Sequence, residues 1–345
     1  MGLMTIRWGI IGCGDVCERK SGPGFQKASG SSLVAVMRRQ RTLAEDFARR
    51  HGVPRFCDDA DALVEDPDVD AVYVATPPGS HLEHALRACR VRKPVYVEKP
   101  MARTHAECRA MLGAFDSAGV PLFVAYYRRA LDRFRAMRDA VGSGRIGTIT
   151  GVSYRYAAPQ HVGLEPSKLP WRLNCEDSGG GLFLDLGSHT LDLLDFVVGP
   201  LSSVCGSAAN CASPHDVEDA VAMTFVAGGA PGTAFWSFAS EAREDRIDVW
   251  GTDGRVSGST FGDEPIEILA RGDLQRVSLP NPPVIQQPLI QTIVDALEGR
   301  GECPSTGVSA ARTSAAIDRV LGSYYGTREG AFWREPLRWP GRRAL

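Results

Sequence analysis

Up to about residue 126 the chain repeats one pattern, a short apolar run followed by a stretch with helical spacing. The runs are Ile6–Ile11 (IRWGII), Leu33–Met37 (LVAVM), Val69–Ala75 (VDAVYVA), Val95–Glu98 (VYVE) and Leu122–Ala125 (LFVA). Thr42–His51, with Leu43, Phe47 and Ala48 on one face, and His81–Cys89 are among the helical stretches. Strands buried on both faces read as near-continuous apolar runs, and alternation with helices predicts a parallel sheet covered on both sides. Beyond Tyr126 the pattern changes. Thr148–Tyr156, Ala220–Val226 and Thr233–Phe238 are longer and alternate apolar with polar residues, which suits an antiparallel or mixed sheet with one covered face. A chain of 345 residues is long enough for two domains. The expected organisation is α/β, with a first domain over residues 1–126 and a second over 127–345.

Composition narrows the function classes. Lys and Arg number 39 against 41 Asp and Glu, a net charge of -2, without the basic excess of a nucleic-acid binder. The nine cysteines are odd in number and show no C-x-x-C spacing, so they read as reduced, packed thiols. No run of about 18 apolar residues predicts a membrane span. The first residues have no secretory pattern, and Ile6 stands where a myristoylation signal has Ser or Thr. A cytoplasmic protein with no nucleic-acid or membrane partner is the expectation.

Four loops carry chemistry. Gly12-Cys13-Gly14, with Asp15 and Val16 opening a helix, follows the first strand. There a bare backbone lets a pyrophosphate approach a helix N-terminus. Cys17 replaces the third glycine of G-x-G-x-x-G. The second strand ends Arg38-Arg39-Gln40-Arg41, with no acid to bind a ribose 2′-hydroxyl. Guanidinium groups there suit a 2′-phosphate, so NADP(H) is the expected cofactor, with NAD(H) the alternative. Thr76-Pro77-Pro78-Gly79-Ser80-His81 closes the third run and Glu98-Lys99-Pro100 the fourth, at strand ends that line a ligand crevice in an open parallel sheet. Taken singly, the first reads more plainly as a rigid connector and the second as a surface lysine in a turn.

Farther on, Gly179-Gly180-Gly181 precedes a leucine-rich helix on which Asp185, His189 and Asp192 fall at i, i+4 and i+7. Such a stripe faces water, a partner or a cleft. A histidine with an acid one turn away can handle a proton near neutral pH. Asp185 and His189 lack a third ligand of matching spacing, so no metal site is expected.

In this order the motifs resemble the glucose-fructose oxidoreductase/inositol dehydrogenase (Gfo/Idh/MocA) family. The resemblance rests on G-x-G at Gly12 and Gly14, Thr76-Pro77 with His81, Glu98-Lys99-Pro100, Tyr126-Tyr127-Arg128-Arg129, Trp171-Arg172, and the Asp185-x-Gly187-x-His189 helix. It implies an N-terminal Rossmann domain that binds NAD(P), with Gly12, Gly14, Asp15, Val16, Arg38, Arg39, Thr76, Pro77, His81, Glu98 and Lys99 on the cofactor side. It also implies a C-terminal domain with a large, open, mainly antiparallel sheet that supplies the substrate face and a homodimer or homotetramer contact.

By the same resemblance Lys99 touches the nicotinamide ribose and the reacting hydroxyl, His189 exchanges the proton, and Asp185 holds it. Tyr127, Arg128, Trp171 and Arg172 border the substrate. The expected activity is hydride transfer between NADP(H) and a CH–OH/C=O group of a sugar, polyol or related cyclic substrate. A dihydrodiol dehydrogenase or a biliverdin/imine-type reductase is the alternative among enzymes, and a non-catalytic dinucleotide-binding regulator the alternative outside them. The loops around His161 to Asp177 are expected to shape the substrate pocket.

Overall fold

The computed structural model describes residues 5–159 and 168–342, so His161 and its neighbours up to residue 167 lie outside the described residues. The chain divides into two compact units.

The first unit takes in the chain up to Ala102, Ala106–Leu131 and Pro282–Ala311. Its sheet is built from β1 (Ile6–Ile11), β2 (Ser31–Met37), β3 (Arg55–Cys57), β4 (Ala71–Val74), β5 (Val95–Val97) and β6 (Leu122–Val124). The strand order is β3-β2-β1-β4-β5-β6 with every pair parallel. β4, β5 and β6 bury both faces, as the inner strands of a covered parallel sheet do. Val72 and Val74 point into an aliphatic core with Val95, Val97 and Val124. Tyr73 and Tyr96 point the other way and stack at 4.8 Å, beside Phe25, whose ring lies 4.8 Å from Trp8.

The predicted strands are present: β1 has the expected bounds, β2 begins two residues earlier, β4 is three residues shorter, β5 and β6 are each one residue shorter, and β3 is additional. Three half-buried residues at the sheet edge carry no alternation for the sequence to show. The order reverses between β1 and β4, which puts a ligand crevice at the carboxyl ends of those two strands.

Chain order alone places everything after residue 126 in one block, yet Pro282–Ala311 belongs to the first unit. Its helix Gln287–Leu297 buries Leu289, Ile290, Ile293 and Val294. The helix packs on Gly22–Lys27, so closely that a Cβ on Gly24 would lie 2.6 Å from Ile290 Cδ1. An amphipathic pattern says that a face is buried, not against which neighbour.

The second unit is an eight-stranded sheet. Its strands are β7 (Ile149–Ala157), β8 (Ser202–Ala209), β9 (Ala220–Ala227), β10 (Ala230–Ser237), β11 (Glu244–Gly251), β12 (Gly254–Gly258), β13 (Ile266–Ala270) and β14 (Asp273–Val277). The order is β14-β13-β12-β11-β7-β10-β9-β8, parallel between β7 and β10 and antiparallel elsewhere. Gly228 and Gly229, both at positive φ, close the β9–β10 hairpin as a two-residue turn that suits right-twisted strands.

Val152, Tyr154, Met223, Phe225, Ala234 and Trp236 form the covered face, while Arg155, Thr224, Thr233 and Phe235 point to solvent. The mixed sheet with one covered face is as expected. The nine cysteines, all among the described residues, form no disulfide. Among the described residues no helix is long and apolar enough to cross a membrane.

Candidate functional site

In the first unit the chemistry gathers at the carboxyl ends of β1, β4 and β5. Gly12 has φ +87°, and a Cβ there would lie 2.7 Å from Thr76 Cγ2 and 3.0 Å from the Thr76 nitrogen. Glycine is thus demanded both by backbone conformation and by the neighbouring loop. Gly14 differs. A Cβ there meets nothing closer than the Gly12 carbonyl oxygen at 3.9 Å. No protein neighbour calls for glycine at this point, whereas a pyrophosphate approaching the backbone does. Thr76 Oγ1 is buried with no hydrogen-bond partner among the described residues, a hydroxyl that a ligand would satisfy. These observations fit a dinucleotide at this loop.

Asp15 is exposed and Val16 half-buried, opening the helical turn. Cys17 is fully buried under the loop, its Sγ 3.9 Å from the Gly12 carbonyl oxygen. The chain then winds as a π-turn over Cys17–Ser21. A Cβ on Gly22 would collide with the Cys17 carbonyl. The glycine needed for close packing therefore stands five residues beyond the position the fingerprint assigns to it. At the end of β2, Arg38 is half-buried and Arg39 exposed. Arg41 lies over the Phe56 ring at 5.1 Å and pairs with Asp58 at 3.4 Å.

His81 has a different place from the one its motif implies. It is fully buried, with Nε2 2.7 Å from the Thr76 carbonyl oxygen and Nδ1 3.1 Å and 3.3 Å from those of Pro100 and Met101. Burial pushes its pKa down, toward the neutral ring. His81 braces the loop carrying Thr76 and Pro77 against the turn that follows Lys99.

Glu98 is also buried. Its Oε1 accepts from Tyr73 Oη at 2.6 Å and Gln286 Nε2 at 2.8 Å, and its Oε2 from the Lys99 N–H at 3.1 Å. Tyr96 Oη donates to Gln286 Oε1 at 3.1 Å. The half-buried Lys99 thus follows a carboxylate held by three donors, and a cis bond joins it to Pro100. Gln286 and Tyr73 are functional supports that sequence reasoning missed, since a lone glutamine far along the chain carries no local signal. Tyr127 and Arg128 lie on the tight turn Tyr127–Ala130 after β6. Both are buried, with the Arg128 guanidinium 5.0 Å from the Tyr127 ring centroid.

In the second unit one buried acid explains the third of the glycines, Gly181, while Gly179 has φ +88° and lies against Arg103. Glu218 accepts the Gly181 N–H on both oxygens at 2.9 Å and receives the Tyr325 hydroxyl. A Cβ on Gly181 would collide with the Glu218 backbone carbonyl. Phe183–Gly187 then winds as a π-turn before the α-helix Ser188–Val198. The i, i+4 face expected of a continuous α-helix is therefore re-phased between Asp185 and His189. Arg172 Nε donates to Asp185 Oδ2 at 3.0 Å, while its guanidinium lies 4.5 Å from the Trp171 ring centroid. Trp171, Arg172 and Asp185 thus come together as one cluster. His189 is buried with its ring edge-on to Phe261 at 6.2 Å, a neighbour that sequence reasoning did not single out.

Burial raises the Glu218 pKa, while its donors and Arg328 oppose the shift. A carboxyl that holds its proton more tightly folded than unfolded contributes stability that is fully present below about pH 4.3 and is lost as pH rises through the folded value. Glu218→Gln is therefore expected to flatten the loss of thermal stability as pH rises above about 4.3. Melting curves of both proteins across that range check this, and superimposable pH profiles would contradict it.

Comparison with known proteins bears on both units. A family model described as an oxidoreductase family with an NAD-binding Rossmann fold matches residues 6–126, and a GFO/IDH/MocA C-terminal domain model matches residues 134–257. The chain belongs to the GFO/IDH/MocA oxidoreductase family. It is 34% identical to "Oxidoreductase P35" of Formosa agariphila over 92% of this chain and 99% of that one. To the 1,5-anhydro-D-fructose reductase of Ensifer adhaerens it is 32% identical, over 87% and 91%.

Among solved structures, a levoglucosan dehydrogenase in complex with NADH and levoglucosan shares the fold. The TM-score is 0.82 at 23% identity, covering 93% of this chain and 97% of that one. The protein is accordingly a GFO/IDH/MocA oxidoreductase with an NAD-binding Rossmann domain.

Proposed function

We propose that this family member is an NADP(H)-preferring oxidoreductase that interconverts CH–OH and C=O on a sugar, polyol or related cyclic substrate. The observation that carries the cofactor preference is the β2 end, where Arg38, Arg39 and Arg41 occupy a turn without any carboxylate. Arg41 is engaged with Phe56 and Asp58, which leaves Arg38 and Arg39 as the residues assigned to a 2′-phosphate. The substrate class follows from relatives named for 1,5-anhydro-D-fructose and for trans-1,2-dihydrobenzene-1,2-diol.

When bound, the nicotinamide cofactor supplies or takes up a hydride. The remaining chemistry belongs to the chain. Gly12 and Gly14 present bare backbone to the pyrophosphate, and Thr76 Oγ1 offers a hydrogen bond. In the direction of reduction Lys99 stabilises the negative charge that grows on the carbonyl oxygen. His189 supplies the proton that completes the alcohol. Arg172 holds the carboxylate of Asp185, the acid assigned to assist His189.

The test is kinetic: purified protein, a panel of cyclic ketones and polyols, and both cofactors, read by nicotinamide absorbance. The expected result is a kcat/KM with NADPH well above that with NADH. Equal values would overturn the cofactor preference. Tight NADPH binding without turnover of any panel member would favour the regulator instead.

A further inference from the structure

Gln286 stands immediately before the helix Gln287–Leu297 and is 1% exposed. Packing on both sides fixes it. Val284 is buried ahead of it, and Leu289, Ile290, Ile293 and Val294 are buried beyond it. Its carbonyl oxygen accepts the Ile290 N–H at 3.0 Å, so the residue is tied into the first turn. The side chain then bridges Tyr96 of β5 and the Glu98 that follows the strand. Tyr96 Oη donates to Gln286 Oε1 at 3.1 Å, and Gln286 Nε2 donates to Glu98 Oε1 at 2.8 Å.

The direction of this chain of hydrogen bonds is set by its acid. A carboxylate only accepts, so the amide turns its nitrogen to Glu98 and its oxygen to Tyr96. Tyr73 Oη donates to the same Glu98 Oε1 at 2.6 Å, while Oε2 accepts the Lys99 N–H at 3.1 Å. Tyr73, Tyr96, Glu98 and Gln286 are all buried. A satisfied buried network of this kind specifies one arrangement of its members.

We propose that Gln286 is a positioning residue for hydride transfer: acting through Glu98, it fixes the backbone from which Lys99 reaches the substrate oxygen. The inference rests on the reading of Lys99 as the group that stabilises charge on that oxygen. It goes beyond that reading by giving a part in the reaction to a residue 188 positions along the chain from Glu98. A group that stabilises developing charge is effective only when it is held in place beforehand. Loosening its mount therefore slows the chemical step more than it weakens binding.

Reduction of 1,5-anhydro-D-fructose by NADPH tests this. Gln286→Met keeps the length of the side chain and removes its hydrogen bonds. It is expected to lower kcat about tenfold, the worth of a hydrogen bond to a charged group, with KM and the NADPH dissociation constant within about twofold of wild type. Adding Tyr96→Phe takes away the hydroxyl that Gln286→Met deprives of its acceptor, and the double variant is expected to stay slow. In the Lys99→Ala background Gln286→Met is expected to lower kcat by less than about twofold, because the group it positions is gone. Gln286→Asn, one methylene too short to bridge Tyr96 and Glu98, is expected to lose kcat in the same way should Gln286→Met fold poorly. Wild-type kcat in the variant that folds, recovery on adding Tyr96→Phe, or an undiminished loss on top of Lys99→Ala would each overturn the assignment.

Amide hydrogen exchange at Lys99, read by NMR on protein labelled with 15N-lysine, separates this inference from the catalytic reading. Exchange several-fold faster in Gln286→Met than in wild type supports the mounting of Lys99 by Gln286. That result stands even if Lys99→Ala keeps full turnover, in which case the catalytic reading alone fails. Equal exchange in both proteins counts against the inference whatever the turnover.

Discussion

Lys99→Ala is expected to lower kcat/KM by about 10²- to 10³-fold, the usual cost of removing one group that stabilises charge developing in the transition state, while NADPH still binds. The expectation comes from the way the residue is mounted. Lys99 follows β5, and its N–H is anchored on Glu98. The Glu98 carboxylate is fixed in turn by Tyr73 and Gln286. Few residues that serve only as solvated turns stand on so braced a support. His189→Asn is expected to cost a similar factor, because the asparagine amide can hydrogen-bond but does not deliver a proton near neutral pH.

Fluorescence titration with NADPH separates chemistry from binding: both variants should keep a dissociation constant within a few-fold of wild type. Full turnover in either variant would remove that residue from the mechanism. Loss of cofactor binding equal to the loss of rate would make Lys99 a binding residue only. The pH profile adds a second readout, since a residue that only supports the fold would lower the rate without reshaping the profile.

The second large effect concerns the cofactor. Arg38→Ala with Arg39→Ala is expected to lower kcat/KM with NADPH by about tenfold to a hundredfold, the worth of hydrogen bonds to a charged group. The value with NADH should move far less, because NADH has no 2′-phosphate to lose. Parallel steady-state measurements with both cofactors decide it. An equal fall with each would mean that the arginines support the β2 end, not the phosphate. Raising the salt concentration should weaken NADPH binding to wild type more than to the double variant, since the removed interaction is electrostatic and exposed.

The fold class was legible because its cause is local. Val95–Val97 and Leu122–Val124 are buried on both faces, so they read as unbroken apolar runs. β9 alternates because one of its faces meets solvent. The glycine loop was legible for the same kind of reason, since turn conformation and close approach are encoded in residue type. β3 and the reassignment of Pro282–Ala311 were not. A three-residue edge strand has no period, and an amphipathic helix does not announce its partner. The π-turns over Cys17–Ser21 and Phe183–Gly187 were also hidden, because residue spacing on its own does not tell a π-turn from an α-turn.

By itself the sequence determined which residue types stand at the strand ends: Gly12 and Gly14 after β1, Arg38 and Arg39 after β2, and Lys99 after β5. These follow from short-range rules of periodicity, turn conformation and charge. Only the tertiary structure decided what holds and surrounds them. Gln286 comes back from far along the chain to Glu98, Glu218 seats the Gly181 turn, and His81 braces a loop from behind. The physical reason is range. A buried polar group must find its hydrogen-bond partner wherever the packed chain brings one. That choice is made in space, between residues that have no relation along the sequence.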